Sequence, residues 1–120
     1  MSKSASALIA EVRSRVHSLL HDEVIEHTIV VMHELGRALS QLSGSLRDGT
    51  SALTDAQRDE LKAVLLSLTS ESIREALHKG ELGITNGIIR TKNRILTVLG
   101  VAIPEGHGEI NPNDFPNYHW

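Results

Sequence analysis

The stretch that decides the fold is Ile25-Glu26-His27-Thr28-Ile29-Val30-Val31-Met32-His33-Glu34-Leu35-Gly36-Arg37-Ala38-Leu39-Ser40-Gln41-Leu42-Ser43-Gly44-Ser45-Leu46. With the heptad started at Ile25, Ile25, Met32, Leu39 and Leu46 fall at a, and Thr28, Leu35 and Leu42 at d. A seam repeating every 3.5 residues keeps one face of a helix against a partner helix. The flanking e and g positions are apolar only early, through Val24, Ile29 and Val31. The stretch therefore predicts one long helix, B, with a two-helix seam in its second half and a broader contact in its first. Asp22 is placed to cap its start, and Gly49 after Arg47-Asp48 is placed to end it.

Working outward, Leu8, Ile9, Val12, Val16, Leu19 and Leu20 share one face of a helix A over about residues 6–20. On the other side, Thr54-Asp55-Ala56-Gln57 is a T-x-x-Q capping box opening helix C, which buries Leu61, Val64, Leu65 and Leu68. Thr69-Ser70-Glu71-Ser72 predicts a bend or a break, with Ser72 and Glu75 forming a second capping pattern. The apolar face shifts there to Ile73, Ala76 and Leu77. Gly80, Gly83 and Gly87 each cost a helix interior roughly 1 kcal/mol against Ala, so a turn is expected at about residues 80–83. Alternatively, Gly83 and Gly87 permit close helix approach. Helix D follows over about residues 85–99 and buries Ile88, Ile95 and Leu99.

Composition narrows the function. Of 120 residues 40% are hydrophobic but only 2% aromatic, so the core is aliphatic, as suits helix-on-helix packing. There is no cysteine, which removes disulfides, thiolate nucleophiles and cysteine-based metal centres. A net charge of −3 gives no global field favouring nucleic acid. No apolar run is long enough for a secretory leader or a bilayer span, so a cytoplasmic location is expected. Residues 104–120 differ from the rest: Pro104, Pro112 and Pro116 and all the aromatics, Phe115, Tyr118 and Trp120, lie there. Two parts are therefore expected, a helical domain over 1–103 and an extended tail over 104–120.

Three histidine patterns invite chemistry. His33-Glu34-x-x-Arg37 falls one residue short of the H-E-x-x-H of zinc proteases, since Arg37 occupies the second ligand position and would repel the cation. The heptad puts His33, Glu34 and Arg37 at b, c and f, in solvent. His33-Glu34-Leu35 also resembles the H-box of histidine-kinase dimerisation domains, with Leu53-Thr54-Asp55-Ala56-Gln57-Arg58 opening the second helix. That resemblance implies phosphotransfer through His33; an exposed surface histidine is the plainer account. His17 and His21, spaced i, i+4, form a possible two-ligand chelate needing a third ligand from Glu11, Asp22 or another histidine, or are simply solvated.

Two further resemblances concern regulation. Leu82-Gly83-Ile84-Thr85, continuing to Arg94-Ile95-Leu96 and Leu99-Gly100-Val101, is similar to the end of a LuxR-type helix-turn-helix. It implies DNA contact by helix D, with Arg90, Lys92 and Arg94 facing phosphates; the plainer account is a basic outer face. Asn93-Arg94-Ile95-Leu96-Thr97-Val98-Leu99-Gly100 followed by Val101-Ala102-Ile103-Pro104, after a long helix, resembles the TraM-type anti-activators of quorum sensing. Those are small helical inhibitors of LuxR-type transcription factors, and the resemblance implies sequestration of such a factor.

The expected architecture is all-α: an antiparallel bundle of about four helices with a long heptad-bearing helix and an extended C-terminal tail. The expected function is that of a non-enzymatic regulator, without cofactor or metal, that binds a protein partner. Ile88, Ile95, Leu99, Phe115, Tyr118 and Trp120 are the expected partner surface. Ile25, Met32, Leu35, Leu39, Leu42 and Leu46 are the expected seam of a homodimer. A small DNA-binding regulator and a His33 phosphotransfer domain are the alternatives.

Overall fold

The computed structural model describes residues 4–21, 25–47, 53–70, 72–73 and 82–111. Among them are four long helices and no strand: α1 (Ala5–His21), α2 (Ile25–Arg47), α3 (Asp55–Leu66) and α4 (Leu82–Val98). The protein is an all-helical bundle, with α2 packed between α1 and α4 and α3 laid mainly against α1. Only three residues separate α1 from α2, so two helices in such extensive contact run antiparallel. Arg15 on α1 pairs with Glu34 on α2 at 2.7 Å, and Arg13 pairs with Glu60 of α3. No helix among the described residues is long and apolar enough to cross a bilayer.

The heptad of α2 holds, but its seam lies inside the chain. Met32, Leu35, Leu39 and Leu42 have no solvent exposure at all, and Leu46 packs half-buried against the same core. Val31 and Ala38, both at g, widen the stripe so that it meets α1 and α4 together. The assignment of these residues to a subunit interface is therefore corrected: α1 and α4 of the same chain already cover the a and d side chains. Ile25 keeps its place at the start of α2, but its side chain lies outside the described residues. The capping position Asp22, the stop at Gly49, and Ala76, Leu77 and Gly80 also lie outside them.

Helix α3 opens on the expected box: Gln57 N–H donates to Thr54 Oγ1 at 3.1 Å, and Thr54 N–H to Gln57 Oε1 at 3.0 Å. It closes at Ser67, so the chain breaks rather than bends. The new helical turn is capped by Thr69, not Ser72. Ser72 N–H donates to Thr69 Oγ1 and Thr69 N–H to Ser72 Oγ, each at 2.9 Å, so the reciprocal pair is set one turn earlier than the expected Ser72 and Glu75. Such a break leaves main-chain groups without helical partners, and they need others.

Helix α4 begins at Leu82, earlier than expected, and takes Gly83 and Gly87 into its body. A methyl group added at either glycine would meet nothing within 4 Å, so neither marks a turn or a close approach. The end of α4 is a Schellman motif. Gly100 N–H bonds Thr97 O at 3.0 Å and Val101 N–H bonds Leu96 O at 2.9 Å. Gly100 holds φ at +80°, a region where a side chain is strained. This turn sends the chain back along α4.

Candidate functional site

After the turn, residues 104–111 form a non-helical strap laid on α4. Asn86 holds its far end with both amide atoms: Nδ2 donates to Ile110 O at 2.9 Å, and Ile110 N–H donates to Oδ1 at 2.7 Å. The Ile110 side chain enters the aliphatic core. Nearer the turn, Asn93 Nδ2 donates to His107 O at 2.8 Å, and between them Arg90 pairs with Glu109 at 2.6 Å. Asn86, Arg90 and Asn93 follow the i, i+4, i+7 spacing of one helix face. Seven helical residues rise roughly 10 Å, about the reach of the three residue steps from His107 to Ile110. The strap thus runs antiparallel to α4, matched to it in length.

The other edge of the strap repairs the break after α3. Ser70 N–H donates to Gly106 O at 2.7 Å and Ser70 Oγ to Gly108 O. Gly106 takes φ +85°, turning its carbonyl toward Ser70.

Between break and strap lies Lys92, fully buried. Its Nζ donates to Leu68 O at 2.8 Å and lies 2.8 Å from His107 Nδ1. Among the described residues no carboxylate pairs with it. Burial of an ammonium without a counter-charge pulls the Lys92 pKa from 10.5 down to about 8. At neutral pH the amine is still mostly protonated and has no lone pair to offer. His107 Nδ1 must therefore accept, and the imidazole is neutral with its proton on Nε2. Burial, and secondarily the Lys92 charge, hold the His107 pKa below the ordinary 6.5.

The burial of Lys92 corrects the reading of helix D as a basic surface. Lys92 does not reach solvent, Arg90 is engaged by the strap, and of the trio read as phosphate-facing Arg94 alone is exposed with no ion-pair partner among the described residues. The register carried the signal. Lys92 lies four residues after Ile88 and three before Ile95, in the middle of the buried stripe, where a polar residue specifies packing rather than strengthening it. Ile88 and Ile95 themselves are 2% and 0% exposed and cannot meet a partner without opening the bundle, which corrects their place in the partner surface. Leu99 is half-buried against the core. Phe115, Tyr118 and Trp120 lie outside the described residues.

The histidines of the helices separate. His33 is exposed, as its b position predicts, and Arg37 likewise. Glu34, expected in solvent, is half-buried because Arg15 draws it onto α1. His33 lies on the rim of an open groove of about 280 Å³ between α2 and α4, lined also by Gly36, Ser40, Ile84, Gly87 and Thr91. Gly36 faces α4, where an added methyl would stand 3.9 Å from Ile88 Cγ1, an ordinary van der Waals distance. His17 and His21 bring their rings to 4.6 Å on the outside of α1. Among the described residues no third His, Cys, Asp or Glu joins them.

No known protein family matches the chain, and neither a curated protein nor a solved structure matches it significantly.

Proposed function

We propose that this protein is a non-enzymatic regulator that binds and sequesters a protein partner through its aromatic C-terminal segment, with the bundle and its strap as the mount. One observation carries the reading: the two-way clamp of Asn86 on Ile110. It fixes the chain to the bundle five residues before Phe115 and ten before Trp120. Aromatic side chains dominate interface energetics where a pocket accepts them, and tethering them beside a rigid body lowers the entropy lost on binding. The strap serves presentation in a way that helix D, with Ile88 and Ile95 buried, does not. A LuxR-type transcription factor is the partner that the likeness to TraM-type anti-activators suggests.

The test is affinity capture from native cells with three forms of the full chain: wild type, Phe115→Ala/Tyr118→Ala/Trp120→Ala, and Asn86→Ala. The expected outcome is a specific protein held by wild type, lost with the triple variant and weakened with Asn86→Ala. If a transcription factor is captured, adding wild type should displace it from its DNA. Identical capture by wild type and the triple variant would overturn the proposal.

A further inference from the structure

A buried lysine facing a buried histidine is an unusual way to fasten a strap. Each main-chain contact of residues 104–108 would form equally well at any pH near neutral. The contact between Lys92 Nζ and His107 Nδ1 would not. It requires a lone pair on Nδ1, and a proton placed there sets an N–H⁺ against an ammonium 2.8 Å away. Lys92 has no exposed surface and His107 very little, so solvent screens the two charges weakly. Leu68 O, the other partner of Lys92, is a neutral carbonyl and leaves both charges in place.

Among the described residues no carboxylate is placed to compensate. On α4 the charged residues nearest in sequence are Arg90, committed to Glu109, and the exposed Arg94. On the strap, Glu105 is exposed and Glu109 is held by Arg90. Among the described residues, the segment after α3 offers Leu68 O to Lys92 and Ser70 to the strap, both uncharged. Among the described groups nothing stabilises a protonated His107 in place, so it lowers its energy by leaving. Residues 104–108 go with it, because Asn93 grips the carbonyl of His107 and Ser70 those of its two neighbours.

We infer that Lys92 and His107 form a proton-operated latch, closed while His107 is neutral and opened when it takes a proton from solvent. The latch holds whether or not the aromatic segment binds a protein. In the closed strap His107 resists protonation, while in the open strap it regains its ordinary 6.5. The open form therefore binds more protons below that value. Closure is fully favoured above pH 6.5 and is weakened by up to about tenfold for each pH unit below it, until the closed-state pKa is reached. Ile110, held by uncharged Asn86, stays docked as the hinge.

Amide hydrogen exchange on the full chain, corrected for intrinsic rates, reads the latch at the Ser70 N–H, which the strap alone protects through Gly106 O. Ser70 protection should fall as the pH drops from 7.5 to 5, by up to about tenfold per unit below 6.5, while Leu39 in α2 stays protected. His107→Asn keeps an acceptor near the Nδ1 position but carries no charge, so its Ser70 protection should be flat over that range. Flat protection in wild type, an equal loss at Leu39, or an unchanged pH dependence in His107→Asn would each overturn the latch. The imidazole signals of His107 in the wild type give a second reading that needs no variant. Their midpoint should lie below 6.5, and a midpoint at or above it would overturn the inference.

Discussion

Raising the pH should stabilise this protein, against the usual loss of stability in alkali, because of Lys92. Its amine titrates at 10.5 in an open chain and at about 8 in the bundle. Between those values the unfolded chain binds more protons than the folded one, so stability rises with pH across the window. Below pH 8 both states carry the charge, and the folded state bears the full cost of burying it. A difference of 2.5 pKa units, at about 1.4 kcal/mol each, makes that cost roughly 3–4 kcal/mol. Deprotonation spares the contacts, since a neutral amine retains N–H groups for Leu68 O and His107 Nδ1. Urea unfolding at pH 7, 8, 9 and 10 measures the effect, with Lys92→Met as reference to remove the contributions of other groups. The wild-type stability minus that of the variant should climb by roughly 2–3 kcal/mol over this range, which stops short of the unfolded-chain value of 10.5. A difference that stays flat, or falls, would show that the ammonium is not desolvated and refute the reasoning.

Three further outcomes test the fold. Leu39→Ala should cost about 2–5 kcal/mol by opening a cavity in the core, by the same amount at 1 and 100 µM protein if the seam lies within one chain, as urea unfolding at both concentrations would show. Thr54→Ala removes the oxygen that accepts from Gln57 N–H, and thermal unfolding should register about 1 kcal/mol lost. Gly106→Ala places a side chain at φ +85° and should cost about 1–2 kcal/mol, read as faster exchange at Ser70 with α2 unchanged.

Much of this was legible because it is periodic or local. The a and d positions of α2, the buried face of α1 and the Thr54 box all follow from spacing along one helix. The chain reversal at Leu99-Gly100-Val101 was not read from the sequence, although its glycine tolerates the φ the turn needs. The missed features have no period. Asn86, Asn93 and Ser70 look like ordinary polar helix residues until a strap runs past them, and an unbonded main-chain carbonyl leaves no mark in a sequence. Lys92 is the intermediate case. Its register with Ile88 and Ile95 pointed inward, but its neighbours Arg90 and Arg94 suggested a basic face.

By itself, then, the sequence determined which side of each helix turns away from water, because a 3.5-residue repeat leaves only one way to shed apolar area. Tertiary structure decided what covers that side. A seam of Met32, Leu35, Leu39 and Leu42 fits a helix of its own chain or of another equally well. α1 and α4 meet it here because the same chain that carries α2 holds them beside it, so no translational entropy is lost in bringing them there. The same holds for Lys92 and His107, fifteen residues apart in sequence. Neither is notable alone, and only the reversal after α4 sets one against the other.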